Sequence, residues 1–149
     1  KKNTSSETVG SGTNDNSSGL TGDLISKAIT PSNASNLILI RASLMVGISH
    51  NLQVFAQLFK AGSVLDAARG DSSVRQQVSA AAYVSSSSRL ATHEYLDTAG
   101  GTSSITYSYR FSHDSSVNRT IWLNRDHTND ATTDYVRGYS SLTLTEIEP

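Results

Sequence analysis

The sequence predicts an all-β fold: a β-sandwich or jelly roll preceded by an extended N-terminal arm. Three observations predict it. Apolar residues recur with period two through most of the chain after residue 22. β-branched and aromatic residues dominate these runs. The runs are short, about nine in number, and recur every ~8–12 residues with turn-forming stretches between them, as in sandwiches and jelly rolls. Composition agrees. The 149 residues include 26 Ser and 15 Thr, and only 17% are charged, which argues against a coiled coil or helical bundle.

The first 22 residues form the arm. In residues 1–20, Ser, Thr, Asn and Gly make up 14 positions, and only Val9 and Leu20 are sizeable apolar side chains. Such a segment cannot build a core and reads as an extended arm. A polar arm becomes ordered when something holds it, usually a neighbouring chain. Residues 23–149 form the sandwich domain. Its first strand is expected at Leu24–Thr30.

The next run, Asn36–Ser49, places Ile38, Ile40, Ala42, Leu44, Val46 and Ile48 on one face, all apolar. Leu37, Leu39, Arg41, Ser43, Met45 and Gly47 take the other. The first set is the predicted core. Leu52, Val54, Ala56 and Leu58 then alternate with Gln53, Phe55, Gln57 and Phe59. The short link Ser49–Asn51 predicts a hairpin between these two runs. Lys60-Ala61-Gly62-Ser63 supplies a turn before Val64–Ala67, and Asp71–Ser79 has room for a helical turn. Further strands are expected at Gln77–Val84, Arg89–Thr98, Ser104–Ser112, Thr120–Asn124 and Ser141–Glu148. Residues 126–138 read as a polar loop.

Several function classes find no footing. Net charge is −1, so no basic footprint for nucleic acid is present. No apolar run approaches the ~18 residues of a membrane span, and Lys1 and Lys2 lead into polar residues rather than a signal-peptide core. Without cysteine there are no disulfides, thiolate ligands or cysteine nucleophiles. The length suits one domain.

Motifs that carry chemistry are equally sparse. His50, His93, His113 and His127 fall in no zinc-binding spacing and are expected in turns or on strand surfaces. No GxSxG elbow or phosphate-binding GxxxxGK[ST] loop occurs. Glu94 and Asp97 point to opposite faces by strand parity and cannot act as a carboxylate pair. Asp126, Asn129, Asp130 and Asp134 gather hard oxygen ligands that suit calcium, without the order of an EF-hand, so a solvated loop is the preferred reading. Asn-x-Ser/Thr triplets begin at Asn3, Asn16, Asn33 and Asn118. In so hydroxyl-rich a chain they arise by chance, and glycosylation is not assigned. No catalytic, cofactor-binding or metal residue is therefore assigned, and the chain is expected not to be an enzyme. Tyr83, Tyr95, Tyr107, Tyr109, Tyr135, Tyr139 and Trp122 are the aromatics with polar tips, suited to core, subunit interface or sugar stacking.

Five segments carry a resemblance: ITPSNASNLILIRASLMVG at 29–47, LFKAGSVL at 58–65, EYLDT at 94–98, TYSYRF at 106–111 and RGYSSLTLTEIE at 137–148. In order and spacing they resemble a β-sandwich module of tailed-bacteriophage virion proteins. The resemblance implies a trimeric jelly roll similar to tumour necrosis factor. It implies either a head decoration (cement) protein or the distal domain of a tail fibre or tailspike. On the first reading the chain sits on the outer capsid surface and braces the major capsid protein through its arm. On the second it binds a host-surface glycan or receptor. The homotrimer draws further support from Leu37, Leu39 and Met45, and from Phe55 and Phe59, which are expected to face water in an isolated sandwich.

Overall fold

The computed structural model describes residues 6–9, 20–48, 50–68, 78–84, 87–125 and 138–149. Ten strands run in chain order: β1 (Ser6–Val9), β2 (Ile25–Ile29), β3 (Leu37–Ile48), β4 (Leu52–Lys60), β5 (Ser63–Val64), β6 (Ala80–Val84), β7 (Arg89–Thr98), β8 (Ile105–His113), β9 (Arg119–Leu123) and β10 (Ser141–Ile147). A single 3₁₀ turn, Asp66–Ala68, follows β5 among the described residues. No helix there is long and apolar enough to cross a membrane.

The strands form two packed antiparallel sheets, so the fold is all-β and sandwich-like. The first centres on β3, which is long enough to serve several neighbours. β7 pairs with it from Leu37 to Val46. Along its other edge β10 pairs with Leu37–Ser43 and β9 with Val46–Ile48. β1 lies outside β9, in register from Ser6 opposite Trp122 to Val9 opposite Arg119. The second sheet centres on β4, with β8 and then β2 on one side and β6 and β5 on the other.

The period-two pattern explains the core. Ile38, Ile40, Leu44, Val46 and Ile48 are at most 1% exposed. They meet Val54, Ala56 and Leu58 of β4 and Tyr107, Tyr109 and Phe111 of β8, all buried. This is the inward set expected from alternation. Tyr107 and Tyr109 are core residues of the single chain.

Four expectations need correction. The Ser49–Asn51 link does not close a hairpin, because β3 and β4 lie in different sheets. The link crosses the sandwich, so that the two apolar inward rows face each other across the core instead of lying side by side. Phe55 and Phe59 do not meet water: they are 6% and 4% exposed within the single chain, and the Arg110 guanidinium lies 4.2 Å from the Phe59 ring centroid. They give no support to a trimer. Met45 is also half-covered, since Gly138 packs so closely on its side chain that no Cβ would fit there. His113 is the fourth. It is 1% exposed rather than in a turn or on a strand surface, and its Nδ1 accepts the Ser115 backbone N–H at 3.1 Å.

Two details refine the arm. Ser6–Val9 adds a tenth strand. Thr21 is 3% exposed, and Thr21 and Phe111 exchange two bonds, backbone N–H to carbonyl and N–H to hydroxyl, each 2.9 Å. The sandwich thus begins to hold the chain by Thr21. The helical turn expected at Asp71–Ser79 lies almost wholly outside the described residues.

The one tight hairpin among the described residues joins β4 to β5 through Ala61 and Gly62, with φ of 50° and 81°. Two consecutive positive φ values define the type I′ turn that matches strand twist, and Asn-Gly is its preferred pair. Alanine tolerates that conformation poorly. Ala61→Asn is expected to raise stability by about 0.5–1 kcal/mol, read from the urea midpoint at unchanged m-value.

Candidate functional site

A largely buried polar cluster lies inside the sandwich, along its β7 edge. Strand parity turns His93, Tyr95 and Asp97 inward, opposite Ala42, Ile40 and Ile38 of β3. The second sheet answers with Tyr107 and Tyr109 on β8 and Lys60 at the end of β4.

Two neighbouring sets result. In the first, the Tyr109 hydroxyl and His93 Nδ1 are 2.7 Å apart. The His93 ring stacks on Tyr95 at 6.3 Å and 7° and meets Tyr109 edge-on at 5.9 Å. Burial pushes the imidazole below its ordinary value near 6.5, opposed by a hydrogen bond to the Ala68 backbone. A neutral ring donating to that carbonyl accepts the Tyr109 proton at Nδ1. In the second set, Tyr107 donates to Asp97 Oδ2 at 2.6 Å. Lys60 Nζ lies 2.7 Å from the same oxygen and donates to the Thr98 carbonyl at 2.8 Å. Burial pushes both phenols well above the ordinary tyrosine range; for Tyr107 the Asp97 hydrogen bond and charge add to it.

This seam holds its phenols protonated and its carboxylate paired. Chemically it is suited to joining the two sheets at an edge where no backbone ladder does so. Sequence reasoning placed His93 on a strand surface and missed the seam. The signal was parity: His93, Tyr95 and Asp97 share one face of Arg89–Thr98, as Tyr107 and Tyr109 do on their strand.

Glu94 points the other way, as expected from parity, and pairs with Arg41 on the outer face. A shallow depression there is lined by Arg41, Ala42, Thr92, His93 and Glu94. At the far end of the same sheet, Glu146 Oε1 accepts the Ser32 N–H at 2.7 Å, the Ser32 hydroxyl at 2.9 Å and Asn36 Nδ2 at 2.7 Å. These bonds, that from Asn36 foremost, hold its carboxyl below the ordinary 4.5.

Tyr83 and Tyr139 are the prominent exposed aromatics, at 59% and 69%. His50 is exposed, as expected. Asp126, Asn129, Asp130, Asp134, His127 and Tyr135 lie outside the described residues. Among the described residues no group of three His, Asp or Glu side chains could hold a metal. No protein-family model and no curated protein matches the chain.

A pH dependence follows with a fixed sign. The unfolded imidazole takes up a proton below about 6.5, while folded His93 resists until lower pH. Its contribution is therefore present above pH 6.5 and lost as pH falls toward the depressed folded value. Glu146 adds a second loss at pH below 4.5, because its folded pKa is also depressed. The unfolding temperature is expected to drop between pH 7 and 5 in the wild type and to drop less in His93→Gln.

Proposed function

We propose that the chain is a structural virion protein, a decoration protein that braces the outer surface of a phage head as a homotrimer of jelly rolls. The observation that carries this reading is the ordered set of five segments resembling phage virion sandwich modules. All five fall on strands, covering parts of β3, β4, β7 and β8 and the whole of β10, strands of both sheets. The trimer and the phage context rest on that resemblance. The role is binding rather than catalysis, and the partner is the major capsid protein.

The arm is the proposed clamp. It carries little apolar area, so it adds little to the core. Ser6–Val9 adds a strand to the edge of β9, the bonding mode by which an extended segment grips a neighbouring sheet. Ser6–Val9 is held by the chain's own β9; ordering each further arm residue costs roughly 1–2 kcal/mol in backbone entropy, which an extensive partner surface offsets.

Deleting residues 1–20 tests this. Thermal unfolding of the trimer is expected to stay within a few degrees of wild type, while binding to undecorated heads is lost. Full-strength binding by the truncated protein refutes the clamp. A second reading, the receptor-binding tip of a tail fibre or tailspike, is favoured by exposed Tyr83 and Tyr139, which suit sugar stacking. Failure of the intact protein to bind heads, together with low copy number per virion, selects it.

A further inference from the structure

The outward face of the sheet formed by β7, β3 and β10 carries a pattern that matches itself. Register fixes its rows. Leu96 stands beside Leu39, Glu94 beside Arg41, Thr92 beside Ser43 and Leu90 beside Met45. Leu96 and Leu90 are 47% and 53% exposed, and the Arg41 and Glu94 side chains 63% and 59%. One positive and one negative charge therefore sit side by side in the middle of the face, with leucines above and below.

We propose that this face docks a second copy of the chain across a two-fold axis that runs parallel to the strands, midway between β3 and β7. Rotation about that axis keeps every row at its own height and lays β3 of one copy over β7 of the other. Arg41 then meets the second copy's Glu94, and Glu94 its Arg41. Leu39 meets Leu96, Ser43 meets Thr92, and Leu90 reaches the partly covered Met45. Each contact occurs twice, as an isologous interface requires.

Charge selects this axis over its alternatives. An axis along β3 would set Arg41 on Arg41, and one perpendicular to the strands through the central row would set like charges on each other. Only the axis between β3 and β7 makes the four charges alternate in sign, which offsets their desolvation. The depression lined by Arg41, Thr92 and Glu94 lies on it. Aligned sheets pack at about −30°, so the central rows carry the contact and the outer rows splay apart. The dimer is accordingly of modest size, formed at micromolar concentration.

This contact is separate from the proposed trimer, and one experiment distinguishes the two. Light scattering at micromolar concentration is run on wild type, Arg41→Glu, Glu94→Arg, the double swap and Leu96→Lys, with thermal unfolding to confirm that each folds. The wild-type mass is expected to be twice that of either single charge variant and of Leu96→Lys, and the double swap restores it. Wild type at twice the 15.9 kDa chain mass, with Arg41→Glu at that mass, supports the two-fold contact and refutes the trimer. Equal masses for wild type and both charge variants overturn the two-fold contact. If those equal masses are three chains, the trimer stands.

Discussion

Leu44→Ala is expected to lower the unfolding free energy by about 2–5 kcal/mol. Leu44 is 0% exposed at the centre of β3. Truncation loses the transfer energy of the removed carbons and leaves a cavity whose cost depends on how far the walls relax. The walls here relax little. Its cross-strand neighbour on β7 is Ala91, and Ala42 lies two residues before it on the same face, so these two neighbours within the sheet are too short to swing in. The backbone is also pinned. β3 changes partner from β10 to β9 at this point, and the Met45 N–H donates to the Ser140 hydroxyl while its carbonyl accepts from Asn124 N–H, both at 2.8 Å. The value should therefore fall in the upper half of the range. Val117→Ala, half exposed and away from the core, is the control and should stay within about 0.5 kcal/mol. Urea unfolding measures both, and a Leu44→Ala cost below about 1 kcal/mol would mean that Leu44 is not in the core.

The inward row of β3 was legible because a strand exposes its parity directly. Six apolar residues at alternate positions from Ile38 to Ile48 admit one buried face. Strand ends were legible where Gly or a polar cluster stopped the run, as at Ala99-Gly100-Gly101 after β7. The partner of each strand was not legible. β3 and β4 each have one apolar row and a mixed second row, so alternation cannot say whether three linking residues fold back into a hairpin or carry the chain across the sandwich. That choice is settled by which rows bury each other, a long-range property. The polar seam was hidden for a related reason. His93 reads as a surface residue, and Tyr95 and Asp97 have no assigned partner, until β8 and the end of β4 are known to lie opposite, with a phenol for His93 and both a phenol and an ammonium for Asp97. Burial of Phe55 and Phe59 under other parts of the chain was likewise invisible to a period-two pattern.

Asp97→Ala is expected to cost about 2–4 kcal/mol, the larger share through groups left behind. Its side chain is 12% exposed and serves two donors, the Tyr107 hydroxyl and the Lys60 ammonium. Tyr107 is 0% exposed, so its hydroxyl would lose its acceptor in the core, at about 1–3 kcal/mol. Lys60 would keep the Thr98 carbonyl and some water, since a quarter of its side chain is exposed; its loss is smaller than for a fully buried pair. Two further variants separate these contributions. Asp97→Asn keeps an acceptor for Tyr107 while removing the charge, and should cost less than Asp97→Ala. Tyr107→Phe removes the donor and should cost about 1 kcal/mol. In the Tyr107→Phe background, Asp97→Ala no longer strands a phenol. The double-mutant cycle should accordingly show a favourable coupling between Tyr107 and Asp97, within the 0.5–3 kcal/mol typical of contacting residues. Because the seam ties the edge of one sheet to the other, amide exchange along Arg89–Thr98 should quicken in Asp97→Ala more than along β4. A coupling of zero, with uniform exchange, would show that the seam decorates the edge without holding it.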